Sequence, residues 1–168
     1  MKLDQYEITH CTCKECISYC KKQPGWFRPG EMPRLAEFLE MSLKEVFRKY
    51  LIADFWIGES ADIHVLSPIK DFNRLKSEEE REMLDRQRRH NELMGWDFDR
   101  PGSYASWGYA FIHAPCNFLE LERCKIYAAR PFECAVSRHD NKESTSSIRE
   151  LITGEWKKTK LLDELLRR

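Results

Sequence analysis

The residues most able to do chemistry are the cysteines. Four of them crowd the start of the chain as Cys11-Thr-Cys13-Lys-Glu-Cys16-Ile-Ser-Tyr-Cys20, and three more, Cys116, Cys124 and Cys134, lie far downstream. Thiolates are soft ligands that suit zinc and iron–sulfur clusters alike. The two-residue spacer between Cys13 and Cys16 lets both sulfurs turn toward one centre, and a second, distant group can then close over it and staple the segment to the fold. The pattern therefore predicts a thiolate-ligated metal site built from Cys13, Cys16, Cys20, Cys116, Cys124 and Cys134, with Cys11 either a substitute ligand or, as the favoured reading, a spare thiol. Four thiolates around Zn²⁺, or around a doubly positive four-iron cluster, leave about two negative charges. Lys14, Lys21, Lys22, Lys125, Arg130 and Arg138 are the cations placed in sequence to offset them. Cys134 carries a second expectation. If Pro131 opens a short helix, Cys134 lies in its first turn, where free N–H groups and the helix dipole would lower its pKa.

The elements that must position these thiols are legible in part. Residues 10 to 22 read as a cysteine-dense loop, and the run from Pro24 to Gly30 as turns. Leu35, Phe38 and Leu39 recur at helical spacing, and Ser42 with Glu45 forms a capping box for a second helix whose apolar stripe is Val46, Phe47, Tyr50 and Leu51. Ile63 to Ile69 reads as a strand. Ser77 followed by Glu78, Glu79 and Glu80 starts a charged, solvated helix over 74–94, with Met83, Leu84 and Leu93 expected to touch the core. Gly95 to Gly108 reads as loop, its Trp96 and Trp107 either packing or covering the metal region. Two strands, Phe111–Leu121 and Lys125–Tyr127, are expected around a turn at Glu120–Arg123, followed by a polar loop at 140–146. The amphipathic tail, Ile148 to Trp156 and Leu161 to Leu166, is expected to dock on the core as two helices broken at Gly154. The sum is one small α+β domain spanning 1–168, helices packed around a short antiparallel sheet with the cysteines at one end.

Composition narrows the partners. Lysine plus arginine and aspartate plus glutamate are each 28, so the overall electrostatic pull toward nucleic acid is small and nucleic-acid binding is not expected. No apolar stretch is long enough to span a bilayer. The polar segment Met1 to His10 lacks the apolar core of a secretory signal, which predicts a cytoplasmic protein with reduced thiols. The seven cysteines are an odd number, so paired disulfides would leave one over.

Ala114-Pro115-Cys116-Asn117-Phe118-Leu119, then Cys124-Lys125-Ile126-Tyr127, then Arg130-Pro131 and Cys134, together resemble the C-terminal signature of the YkgJ-like family of zinc- or iron-chelating proteins, named for a C-x-x-C-x-x-C-C motif. Cys13, Cys16 and Cys20 resemble its N-terminal motif, and Pro33 to Leu51 its helical segment. The resemblance implies a further ligand at His139, five residues after Cys134. There are departures: the cysteine doublet is Tyr19-Cys20 here, Ala135 and Arg138 replace the usual arginine and proline, a later Cys-Pro is missing near Gly154, and the 74–94 helix looks like an insertion. They leave open whether one metal site forms or two.

The expected function is that of a cysteine-ligated metal protein. One reading is an iron–sulfur protein with a redox or electron-transfer role; the alternative is a zinc-binding structural or interaction module without catalysis. A third reading makes one cysteine, Cys134, a nucleophile or redox centre. The partner, a docking protein or a redox protein, is not specified by the residues, and no substrate or reaction is implied.

Overall fold

The computed structural model describes residues 2–56, 63–136 and 145–167, with Thr145 described by its backbone alone. His139, Arg138 and most of the 140–146 segment lie outside them.

The cysteine-dense segment is not a loop. Cys13 takes an extended conformation and starts helix α1 (Lys14–Cys20). Helices α2 (Met32–Phe38) and α3 (Leu43–Tyr50) follow. The capping box at α3 forms as its residues dictate: Ser42 Oγ accepts from the Glu45 N–H, while the Glu45 carboxylate accepts from the Ser42 N–H at 2.9 Å. The chain passes directly into strand β1 (Leu51–Phe55), which pairs antiparallel with β2 (His64–Pro68). β1 is absent from the sequence reading, which assigns Leu51 to the α3 stripe. Its run is too uniformly apolar to show a two-residue alternation, because its residues are nearly all buried. The other edge of β1 is covered by the loop that follows α4: Ala53 N–H donates to Ser103 O and Ala105 N–H to Ala53 O, both at 2.9 Å.

Helix α4 (Glu78–Met94) is capped by Ser77 and ends at Gly95, whose positive φ of 68° suits glycine. Leu84 seats it on the domain, but Leu93 is 86% exposed and does not reach the core as expected. Leu93 and Met94 lie at the helix end, where the chain turns into the next loop. The long strands expected between Phe111 and Tyr127 shrink to a two-residue ladder, β3 (Leu119–Glu120) with β4 (Arg123–Cys124). Leu121 and Glu122 both take positive φ, a tight two-residue turn. The stretch before β3 spends its hydrogen bonds elsewhere, with Cys116 N–H donating to Cys20 O and Asn117 N–H to Ile69 O.

Helix α5 (Phe132–Val136) follows Pro131, and α6 (Thr145–Trp156) and α7 (Leu161–Leu166) finish the chain. Gly154 lies inside α6; the break falls instead at 157–160. A glycine near a helix end costs less than loss of the packing that holds Trp156.

The result is an α+β fold in which helices flank two small antiparallel sheets. The main core runs from Trp26, Phe27, Met32 and Leu35 through Val46, Phe47 and Leu66 to Ile126, Ile148 and Ile152. The segment read as turns is thus its centre: Trp26 and Phe27 are wholly buried. Trp156 locks the tail on to it, its indole N–H donating to Phe27 O at 2.7 Å. Trp156→Ala is expected to cost about 3–5 kcal/mol, as truncations of buried aromatics do. A urea titration would show the midpoint falling with the slope unchanged; an unchanged midpoint would mean the tail is not docked.

Candidate metal centre

The two cysteine groups meet. One cavity of about 450 Å³ is lined by Cys11, Cys16, Cys20, Cys116, Cys124 and Cys134. Cys13 joins them through Cys11 and Cys16: the three sulfurs lie within 4.8 Å of one another. All seven cysteines are free thiols. Of the sequence-predicted residues, His139 lies outside the described set. Cys11, read as a spare, stands in the tightest sulfur cluster. Its spacing of two from Cys13 matches no metal-loop pattern, and the signal is only that the chain is extended just before α1.

Helix geometry and backbone pairing place each sulfur. Cys13, Cys16 and Cys20 are three and four residues apart and so share one side of α1. Cys116 is tied to Cys20 by its backbone N–H, at 2.9 Å, and Ala114 N–H reaches Lys22 O at 3.0 Å. Arg74 fixes the far side of this segment, donating to Cys116 O at 2.8 Å and Leu119 O at 2.6 Å. Cys124 is presented by the β3–β4 turn. Cys134 rides on α5, which is held by Glu133: its buried carboxylate accepts from the Trp26 N–H at 2.7 Å and from Arg149 Nε at 2.8 Å. The Arg149 guanidinium in turn lies 4.2 Å from the Trp26 ring centroid.

Gly25 is part of this packing. A Cβ there would come within 2.4 Å of Cys134 Sγ and 3.1 Å of the Cys134 backbone nitrogen, so only glycine lets the chain pass this close to the sulfur. Trp96 and Trp107, by contrast, are exposed and are not among the residues lining the cavity.

The thiols differ in how readily they ionise. The Cys13 thiol is pulled down to about 7, first by the Cys16 backbone N–H and then by the Cys11 thiol. Cys20 is lowered because the Cys134 thiol donates to it, which outweighs its burial. The converse holds for Cys134, raised well above the ordinary thiol value because its proton serves Cys20 and because it is buried. The expected lowering of Cys134 by its helix is therefore overturned: α5 has five residues, and the neighbouring thiolate and desolvation dominate its dipole. Burial also raises Cys116 and Cys124. The lowered pair, Cys13 and Cys20, sit at the two ends of the α1 sulfur row.

An all-sulfur donor set of this kind fits a thiophilic ion. Zn–S bonds of about 2.3 Å put the sulfurs of a tetrahedral site roughly 3.8 Å apart. Sulfurs already within 4.8 Å therefore need only a small inward movement to bind one ion.

Two expectations follow for the metal-free protein. Iodoacetamide is expected to label Cys13 first, at a rate rising through a midpoint near pH 7, as peptide mapping of briefly treated protein would show; first labelling of Cys116 or Cys134 would contradict this arrangement. Gly25→Ala is expected to cost about 1–3 kcal/mol in a denaturant titration, the usual cost of overpacking, and a neutral result would mean that Cys134 is not pressed against residue 25.

The family model described as "Putative zinc- or iron-chelating domain" matches residues 12–151. No curated protein and no solved structure matches the chain. With most of its length spanned, including every cysteine but Cys11, the chain belongs to the CxxCxxCC family.

Proposed function

We propose that this protein is a zinc-binding module in which a thiolate-bound ion closes the N-terminal cysteine segment on to the domain, with function residing in contacts to a protein partner and not in catalysis. The observation that carries this reading is the cluster of Cys11, Cys13 and Cys16, three sulfurs within 4.8 Å of one another, with Cys11 and Cys16 on the wall of a cavity that Cys116, Cys124 and Cys134 also line. That spacing suits the coordination sphere of a single ion, whereas the thiolates of a four-iron cluster sit on separate corners of a cube and are spread by the whole cluster. Cys20, Cys116, Cys124 and Cys134 complete the ligand candidates, with His139 proposed on the family resemblance. Binding releases protons from the thiols and stabilises the folded chain, because the unfolded chain does not hold the sulfurs together. A reducing compartment such as the cytoplasm keeps the thiols available.

The second reading, an iron–sulfur protein with a redox or electron-transfer role, is favoured by the cavity itself. About 450 Å³ bounded by Cys20, Cys116, Cys124 and Cys134 is more room than one ion uses.

Elemental analysis of protein purified without oxygen separates the two. The zinc reading expects a colourless protein with stoichiometric zinc; the iron–sulfur reading expects a brown one containing iron and acid-labile sulfide. In either case Cys16→Ser and Cys124→Ser are expected to release metal, and a chelator to lower the melting temperature. Protein that carries neither metal, and whose melting temperature ignores both chelator and added zinc, would sink the proposal.

A further inference from the structure

We infer that Cys13 and Cys16 are a site of reversible oxidation: hydrogen peroxide joins them in a disulfide, which closes the metal site to an ion, and reduction reopens it. This rests on the metal-binding reading above and names how that same site is regulated.

The geometry that suits an ion also allows the bond. The sulfurs of Cys11, Cys13 and Cys16 lie within 4.8 Å of one another, and among the described residues no other three Cys, His, Asp or Glu side chains form such a group. Cys13 immediately precedes α1, and Cys16 is the third residue of that helix. One helical turn puts the Cα atoms of such a pair about 5 Å apart, inside the window of about 4.4–6.8 Å that disulfides occupy. Cys11 stands two residues back along extended chain, about 6.6 Å away, at the far edge of that window. Bonding asks only that the side chains turn, and α1 has no buried residue that such a turn would unpack.

The downstream thiols are placed differently. Cys134 is pressed against Gly25, where there is no room even for a Cβ, and Cys116 is buried with its carbonyl held by Arg74. Neither offers the open approach to a dissolved oxidant that Cys13 does, since Cys13 is exposed. An accessible thiol with a second thiol beside it oxidises reversibly, because the neighbour traps the first product before it is oxidised further.

The step balances with peroxide as the oxidant. Peroxide converts the Cys13 thiol to a sulfenic acid and leaves as one water. The Cys16 thiol then displaces the sulfenic hydroxyl as a second water, forming the sulfur–sulfur bond. The two thiols together lose two electrons and two protons, and the peroxide takes up both. A dithiol reductant reverses the bond by exchange. Metal binding needs thiolates, so the oxidised pair and a bound ion exclude each other.

Peptide mapping of the full chain tests this. Trypsin cuts after Lys14 and Lys21, so Cys11 and Cys13 fall on one peptide and Cys16 and Cys20 on the next. Reduced, metal-free protein treated with hydrogen peroxide is expected to yield these two peptides joined, with fragmentation placing the bond at Cys13 and Cys16, and to yield them separately again after dithiothreitol. The joined species is expected to persist in the Cys11→Ser/Cys20→Ser variant, where each peptide keeps a single thiol, and to be lost in Cys16→Ser. Zinc bound beforehand is expected to suppress the link, and oxidised protein to take up less zinc than reduced protein. A bond confined to the first peptide, a Cys20–Cys134 link, or sulfinic acid at Cys13 without any link overturns the assignment while leaving metal binding standing. So does a link that forms equally fast with zinc bound. Zinc uptake by neither form overturns the metal-binding reading and the regulation with it. Should the double variant fail to fold, fragmentation of the joined wild-type peptides decides the matter.

Discussion

Everything at the cysteine-lined cavity depends on a few backbone hydrogen bonds between parts of the chain about a hundred residues apart. Cys116 N–H to Cys20 O, Ala114 N–H to Lys22 O, Glu133 N–H to Trp26 O and Thr9 N–H to Ala135 O join the first 26 residues to the segments that carry the downstream thiols. None of these is an internal bond of a helix or a rung of a regular strand ladder. Closing so long a loop costs entropy, though that cost grows only slowly with length. Here the apolar residues beside the bonds offset it, since Trp26, Phe27, Phe118 and Ile126 belong to one core. The thiols are thus brought together by the same packing that forms the domain, before any ion is considered.

The Glu133–Arg149 pair is the polar counterpart of that packing. Both side chains are nearly inaccessible, and burying an ion pair is seldom stabilising in itself; its value lies in what removal of one partner would leave behind. Each charge is anchored further. Glu133 accepts from the Trp26 N–H, and Arg149 lies against the Trp26 ring. The pair fixes α5 against α6 and against the 24–27 segment at once, which sets where Cys134 stands relative to Gly25 and Cys20. Position, more than stability, is what this network contributes.

Features written in local sequence emerged as read. The Ser42–Glu45 box, the Ser77 cap and the amphipathic faces of α3 and α6 depend on neighbours within a turn or two, so their signals survive without tertiary context; the stripe expected on α2 holds at Leu35 but not at Phe38, which is 45% exposed. The convergence of the cysteine groups was legible from chemistry, since a C-x-x-C pair backed by further thiols downstream suits a shared thiophilic centre. What could not be read depends on distant partners. β1 is masked by burial on both faces, and the expected strands before Tyr127 gave way because residues 114–117 pair with Cys20, Lys22 and Ile69 in place of each other. Cys134 was misjudged because its pKa answers to Cys20, a residue 114 positions away, more than to its own short helix. Cys11 was passed over because an extended approach to α1, invisible in the spacing, folds its sulfur back on Cys13 and Cys16.

The charge on the thiolates leads to the last step. Several basic residues near the cysteines are candidates to neutralise it, yet the structure commits them elsewhere. Lys21 pairs with Glu122, and Lys125 with Glu120 at 2.8 Å. Arg130 donates to the backbone carbonyls of Tyr127 and Thr9 and lies over the Tyr127 ring, so its charge reaches Cys124 only at a distance. Arg149 is taken by Glu133. With these cations occupied, further ionisation of the cavity thiols is held back: Cys116, Cys124 and Cys134 are each pushed toward the neutral form, partly by the charge on Cys20. A divalent ion reverses that balance by binding the thiolates directly, since coordination to a metal deprotonates a thiol outright. On the metal-binding reading a bound ion would supply positive charge that Lys21, Lys125 and Arg149 direct elsewhere, and its affinity would rise with pH as the protons that the thiols must release become easier to lose.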